Sequence, residues 1–120
     1  MYTENQIILL RGCIQHTIMS HIDNIMSQIG NLYSELYVAM CDEIISDDLI
    51  VRVGDTYSLS QNLQVNGQFD FEAFSKIISE NLKLTVKSYI TNENAISNIY
   101  TELPAIVRDV IQDIKKILNL

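Results

Sequence analysis

The sequence predicts a mainly α fold, a helical bundle with a long or kinked N-terminal helix, a short β-hairpin flap near residues 49–66 and two to three C-terminal helices. Apolar residues recur at steps of three and four before residue 46 and after residue 70, which is the period of one helix face. Between these regions they alternate with polar residues around turn dipeptides. A chain of 120 residues is one ordinary domain, so we predict a single domain over residues 1–120. We expect more than about 60% helix.

The N-terminal helix begins with a capping signal and carries a wide apolar stripe. Thr3 followed by Gln6 is typical of a capping box, and Glu4 suits the positive end of a helix dipole. The stripe has two adjacent rows: Ile14, Ile18, Ile22, Ile25, Ile29, Leu32, Leu36, Met40 and Ile44, and beside them Met19, Met26, Tyr33, Tyr37 and Cys41. A stripe this wide needs more than one neighbour to cover it.

Gly30 lies in the middle of this stripe and leaves two arrangements open. A continuous helix from Thr3 to Ile45 would be about 65 Å long at 1.5 Å per residue. A domain of this size has a radius of gyration of only about 13–14 Å. The apolar steps pass Gly30 without a phase slip, which favours continuity, whereas domain size favours a break. We expect a break or kink at Gly30 and keep the continuous helix as the alternative.

The only β-like region follows this helix. Residues 49–53 are rich in β-branched side chains, Gly54-Asp55 is a hairpin turn signal, and residues 56–60 alternate. Asn66-Gly67 is a second turn signal. We expect a flap of two or three strands that packs on the helices, because a lone hairpin is only marginally stable in water.

The C-terminal half predicts two or three helices. Asp70 can cap the first of them, and residues 91–94 resemble a stop and restart. Pro104, the only proline, lacks a backbone donor and is expected in the first turn of a last helix or at a kink.

Candidate catalytic and metal-binding residues are few. Cys13 and His16 share a helix face, and Cys41 could complete a metal site, but it has no closely spaced second ligand. Cys41, His16 and Asp42 could form a nucleophilic constellation, although nothing in the sequence brings them together. The acidic residues at 42–48 lack the spacing of a calcium loop, and no glycine-rich loop precedes a helix. We therefore predict no catalytic, cofactor-binding or metal-binding residues, and no enzyme.

Composition limits the partners and the compartment. Fifteen acidic residues against eight basic ones give a net charge of −7, which argues against binding nucleic acid through phosphates. Residues 1–50 hold seven acids and one base, so the acidic half favours a basic protein partner. No apolar run approaches about 18 residues and no signal pattern is visible, so we expect no membrane contact and a cytoplasmic location. Nineteen isoleucines and ten asparagines indicate an AT-rich genome, such as that of a virus, a phage or a low-GC bacterium.

These observations predict a non-enzymatic, acidic protein-interaction module. It would be a small stoichiometric binder of a larger protein, of the chaperone, immunity or inhibitor kind, with a basic partner favoured by charge. The alternative is a homo-oligomeric structural or assembly subunit that uses the N-terminal apolar stripe as its seam. We expect a homodimer built on residues 14–41, because an uncovered stripe would exceed the apolar area that monomers tolerate. The predicted interface residues are Ile18, Met19, Ile22, Ile25, Met26, Ile29, Tyr33 and Tyr37.

Overall fold

The computed structural model describes all 120 residues, and 69% of them are helical, which confirms the mainly α prediction. Four long helices form the body: α1 (Glu4–Ile22), α3 (Leu32–Ile44), α4 (Phe71–Tyr89) and α5 (Glu93–Ile117). A 3₁₀ turn (Asp23–Ile25) and a single helical turn, α2 (Met26–Ile29), connect α1 to α3. Four short strands separate α3 from α4: β1 (Ile50–Val53), β2 (Thr56–Leu59), β3 (Gln64–Val65) and β4 (Gln68–Phe69).

The four long helices form a square bundle. Helix α1 packs against α3 and α5, and α4 packs against the same two neighbours. The hydroxyl of Tyr33 donates to the carbonyl of Met19 (3.2 Å), while Arg11 bonds Asp42 further along, so α3 runs antiparallel to α1. Short connections in such bundles join antiparallel neighbours, and the three residues between α4 and α5 fit that rule.

The start of α1 matches its prediction, but its end lies earlier than expected. The amide of Gln6 donates to Thr3 Oγ1 (3.2 Å) and the amide of Thr3 donates to Gln6 Oε1 (2.9 Å), which completes the capping box. Regular α-helix ends at Ile22, and Gly30 then adopts φ 57° and ψ −126°. Such a backbone conformation favours glycine. The break expected at Gly30 is therefore present, and the continuous helix is wrong.

Two hairpins of two strands each form the flap, so it has four strands rather than the expected two or three. In the first, Ile50 pairs with Leu59 and Val53 with Thr56, across a turn whose Gly54 has φ 65°. In the second, Asn66 (φ 55°) and Gly67 (φ 79°) form the turn, as their dipeptide predicted. Strand β4 extends to residue 69, slightly beyond the predicted limit of 66. Tyr2 pairs with Tyr57, which fixes the flap to the end of the bundle where α1 begins.

The C-terminal half contains two helices, each with a side-chain cap. Asp70 accepts from the amide of Ala73 (3.0 Å), and Asn92 accepts from the amide of Ala95 (3.1 Å). Pro104 lies inside α5, so its expected place in a first turn is wrong. The helix continues on both sides of it, and at 1.5 Å per residue its 25 residues span about 37 Å. An unbroken α5 therefore runs most of the 42 Å length of the molecule.

One cluster of 27 buried apolar residues fills the space between the helices and under the flap. Within it, Ile25 and Ile29 are 1% and 8% exposed, which confirms their expected burial. No buried side-chain nitrogen or oxygen lacks a hydrogen-bond partner. The core is thus closed by residues of one chain.

Shortening the buried side chains of the segment that connects α1 to α3 tests this core. Replacing Ile25 or Ile29 with Ala should lower the free energy of unfolding by ~2–5 kcal/mol, because each change leaves a cavity among packed side chains. Leu9→Ala is the control, since Leu9 is 60% exposed, and it should change stability by less than about 0.5 kcal/mol. Urea unfolding followed by circular dichroism measures all three. Losses below about 0.5 kcal/mol at both isoleucines would place the stripe outside the core.

A pair of glycine substitutions tests the break. A Cβ at Gly30 would contact nothing within 4 Å, so Gly30→Ala tests the positive φ alone and should destabilise by ~1–3 kcal/mol. Gly12 lies exposed inside α1 with the same open space, and Gly12→Ala should stabilise by ~0.5–1 kcal/mol. Thermal unfolding of the two variants should therefore shift in opposite directions. A rise in stability in both would show that the chain passes residue 30 as ordinary helix.

Candidate functional site

The predicted interface stripe lies mostly inside the molecule. Five of its eight residues are buried by contacts within the chain: Ile18, Ile22, Ile25, Ile29 and Tyr33. Met19 and Tyr37 are partly buried against the same core, and Met26 is 46% exposed. The stripe is covered within the chain rather than by a second molecule, for two reasons. Helix α3 folds back along α1, and α5 continues through Pro104 along the other side.

Exposed apolar side chains occur on other faces of the bundle. Large ones project from the outer surfaces of α1, α3 and α4, whereas none projects from α5. The most exposed in these three helices are Ile8 (62%), Leu9 (60%) and Leu84 (66%). On α5 the exposed residues are polar apart from Pro104, and its outward apolar side chains, such as Ile96, Tyr100 and Ile111, are only partly exposed.

A shallow groove between α3 and α4 combines apolar and acidic side chains. Its volume is about 450 Å³, and we call it the α3 groove; its lining residues are Ser34, Glu35, Val38, Ala39, Asp42 and Tyr89. The first five follow helical spacing on α3, where residues three and four apart are neighbours. Val38 is 39% exposed and Tyr89 is 38% exposed. The groove therefore presents accessible apolar surface beside two carboxylates.

The α3 side of the groove belongs to an acidic stretch of the chain, of which Glu35 and Asp42 line the groove. Residues 35–48 hold five acids and no base: Glu35, Asp42, Glu43, Asp47 and Asp48. Asp42 pairs with Arg11 (2.6 Å), and both side chains are well exposed. Glu35 has no ion-pair partner in the structure. A cationic group entering the groove would meet at least one free carboxylate, and solvent screens that attraction only in part at short range.

A second polar cluster lies between α1 and α5. His21 contacts two carboxylates of α5, with Nδ1 3.0 Å from Glu102 Oε2 and Nε2 2.8 Å from Asp109 Oδ2. Burial by itself lowers the pKa of His21, but hydrogen bonds and charges from Asp109 and Glu102 outweigh it and raise the pKa above its ordinary 6.5. The hydrogen bond from His21, with one from Arg108, lowers the pKa of Asp109.

The cysteines do not join the histidines in a cluster. Cys41 is buried and its thiol donates to the carbonyl of Arg11 (3.6 Å), while His16 is exposed. Burial, with a smaller effect of Asp42, raises the pKa of Cys41 to about 11. Burial and then the charge of Asp113 raise the pKa of Cys13. Both thiols therefore stay protonated at neutral pH, whereas a nucleophile needs the thiolate. No group of three or more His, Cys, Asp or Glu side chains has the geometry to hold a metal ion.

Comparisons of the chain with protein-family models, with curated proteins and with solved structures found no match. Among the helices of the fold, none combines the length and the apolar character needed to cross a membrane.

Sequence analysis missed both polar sites, for different reasons. Glu35, Val38 and Asp42 lie outside the core row of α3, so an apolar residue between two acids on an exposed face was a usable signal for the groove. Tyr89 and the partners of His21 gave no local signal, because Glu102 and Asp109 are 81 and 88 residues away from that histidine.

Proposed function

We propose that the protein is a non-enzymatic interaction module that holds a basic protein partner in the α3 groove. The observation that carries this proposal is the combination of exposed Val38 and Tyr89 with the free carboxylate of Glu35 in one shallow groove. Interfaces commonly place aromatic and apolar side chains at the centre and charged ones at the rim. A helix with apolar residues on one face and Lys or Arg beside them would complement this arrangement.

The charge distribution supports the same kind of partner. The five acids of residues 35–48 have no base among them, and the only ion pair they make is the exposed one from Asp42 to Arg11. Acidic surfaces of this kind raise the rate at which basic partners associate, and salt weakens the effect. The acidity of the chain would then steer the partner, while the apolar floor of the groove would retain it. A stoichiometric binder of the chaperone, immunity or inhibitor class needs no more chemistry than this.

Charge reversal at Glu35 tests the groove. The probe is a fluorescent synthetic helix of about 15 residues with leucines on one face and lysines beside them. Glu35→Lys should weaken its binding by roughly tenfold, because the free rim carboxylate becomes a cation. Glu93→Lys is the matched control, since Glu93 also lies in the first turn of a helix and is exposed, but on α5. Fluorescence anisotropy at two salt concentrations measures both variants.

The apolar floor needs its own comparison. Val38→Ser should weaken the same peptide, whereas Val53→Ser, at a similarly exposed valine in the flap, should leave its affinity unchanged. Equal losses for Glu35→Lys and Glu93→Lys would show that only net charge attracts the peptide. That result, or a loss at Val53 equal to the loss at Val38, would contradict a docking site in the α3 groove.

A homo-oligomeric subunit is the second candidate, and one observation favours it. Met26, a member of the predicted seam, is 46% exposed, and Leu32 close by in the chain is 38% exposed. A twofold dimer could bury this end of the bundle without opening its core. Such a contact would not involve the buried residues of the predicted seam, such as Ile18 and Ile22.

The solution mass tests the second candidate. The chain has a mass of 13.7 kDa, so a dimer through Met26 would have twice that mass and should fall to 13.7 kDa when Met26 is replaced with Glu. Ile22 is left unchanged, because it is 1% exposed and a charge there would unfold the core. Light scattering after gel filtration gives the mass. A monomer at every concentration would remove this candidate.

A further inference from the structure

The two contacts of His21 require a particular protonation state of its imidazole ring. Both ring nitrogens lie within hydrogen-bond distance of carboxylate oxygens, which only accept hydrogen bonds when ionised. A neutral imidazole has one N–H and can satisfy only one of the two carboxylates, Glu102 or Asp109. Both contacts form together when the ring carries two protons. The geometry of the cluster therefore selects the imidazolium ion.

The position of His21 allows the imidazolium ion to attach the C-terminal end of α1 to α5. It is the penultimate residue of α1, where the negative end of the helix dipole also favours a cation. Between Ser20 and Asn31 no other side chain forms a hydrogen bond to another helix. Beyond Ile22 the connecting segment is anchored by its buried isoleucines and by few backbone hydrogen bonds. One turn earlier on α1, Thr17 donates to Asp113 of α5, and the carbonyl of Met19 accepts from Tyr33 of α3. His21 is thus the last side-chain attachment of α1 and the only ionic one at this end of the helix.

We propose that His21 is a proton-dependent latch, which as an imidazolium holds the end of α1 against α5 and, on losing its proton, loosens residues 22–31. The loosened segment contains Ile25 and Ile29, which are buried in the latched state. Raising the pH would then make apolar surface at this end of the bundle accessible. The latch lies at the α1–α5 contact, so it is independent of the α3 groove.

The other titratable groups around the latch do not replace it. Arg108 donates to Asp109 Oδ1 (3.1 Å) and keeps that carboxylate ionised, but it lies on the same helix and cannot join α1 to α5. Asp23, two residues beyond His21, is exposed and forms no ion pair. From α3, Tyr33 reaches only the carbonyl of Met19, and from α5 Asp113 accepts a hydrogen bond from the uncharged Thr17, one turn before His21. Loss of the ring proton therefore leaves no second cation to bridge the two helices.

The direction of the pH effect follows from the shifts in the two pKa values. The pKa of His21 is raised in the folded protein, so its stabilisation is fully present below about 6.5 and is lost as the pH rises through the raised value. The pKa of Asp109 is lowered, so its contribution is present above 3.8 and is lost as the pH falls through the lowered value. The latch is therefore closed at pH values between the lowered pKa of Asp109 and the raised pKa of His21.

Hydrogen exchange at pH 6 and pH 8.5 tests the latch. After correction for intrinsic exchange rates, opening of residues 22–31 should increase by roughly threefold or more at the higher pH, as expected for a partly exposed ion pair. In His21→Gln, opening of this segment should be high and equal at both pH values. His16→Gln is the control, because His16 is exposed on the same helix and makes no ion pair, and it should behave as the unmodified protein.

A second variant, Glu102→Gln, and an NMR titration of His21 test the latch even if His21→Gln folds poorly. Glu102→Gln should give a smaller pH effect than the unmodified protein, because only the contact with Asp109 remains ionic. The C–H resonances of His21 should titrate above the ordinary value near 6.5, and Asp109→Asn should lower that midpoint. Exchange of residues 22–31 that is independent of pH would overturn the latch. An equal increase over all four helices would also overturn it, since that result indicates global destabilisation.

Discussion

Because the chain reverses between Ile22 and Leu32, α3 returns along α1 and the second row of apolar residues meets its cover within the same chain. The contacts of α1 with α3 depend on this reversal. It sets α3 on one side of α1 and leaves a neighbouring side open for α5. Three buried isoleucines and a glycine in a conformation unfavourable to other residues define the reversal. A helix extended through Gly30 would instead leave its far half exposed and in need of a second molecule.

The closed core determines which surfaces remain for function. With the stripe mostly buried, the large apolar side chains exposed on the long helices lie on α1, α3 and α4, whereas those of α5 are at most partly exposed. Only the groove between α3 and α4 joins such positions to an acidic segment free of bases. The ionic cluster of His21 occupies the contact between α1 and α5. The proposed binding surface and the proposed latch therefore belong to different helix pairs and can be altered separately.

Local physical chemistry explains what the sequence could predict. Caps at Thr3, Asp70 and Asn92 and the turn at Asn66-Gly67 depend on bonds or dihedral angles within a few residues, and each was recognised or lies where a stop was expected.

Long-range packing explains what the sequence could not predict. Which helix covers a given apolar row is decided by residues far away in the chain, so burial of the stripe was predicted but its cover was assigned to a second molecule. Of the two places expected for Pro104, the first turn of a helix is wrong, because α5 begins eleven residues earlier at Glu93 and continues past the proline. Tyr89 joins the α3 groove only through packing of α4 on α3. The central functional claim is that a basic partner docks in the α3 groove. Its most direct test is a map of amide chemical-shift changes while the basic amphipathic peptide is titrated into isotope-labelled protein. If the peptide docks in the α3 groove, the largest changes will fall at Glu35, Val38, Ala39 and Tyr89, with little change along the outer face of α5. Changes centred on α5, or spread evenly over all four helices, would contradict it.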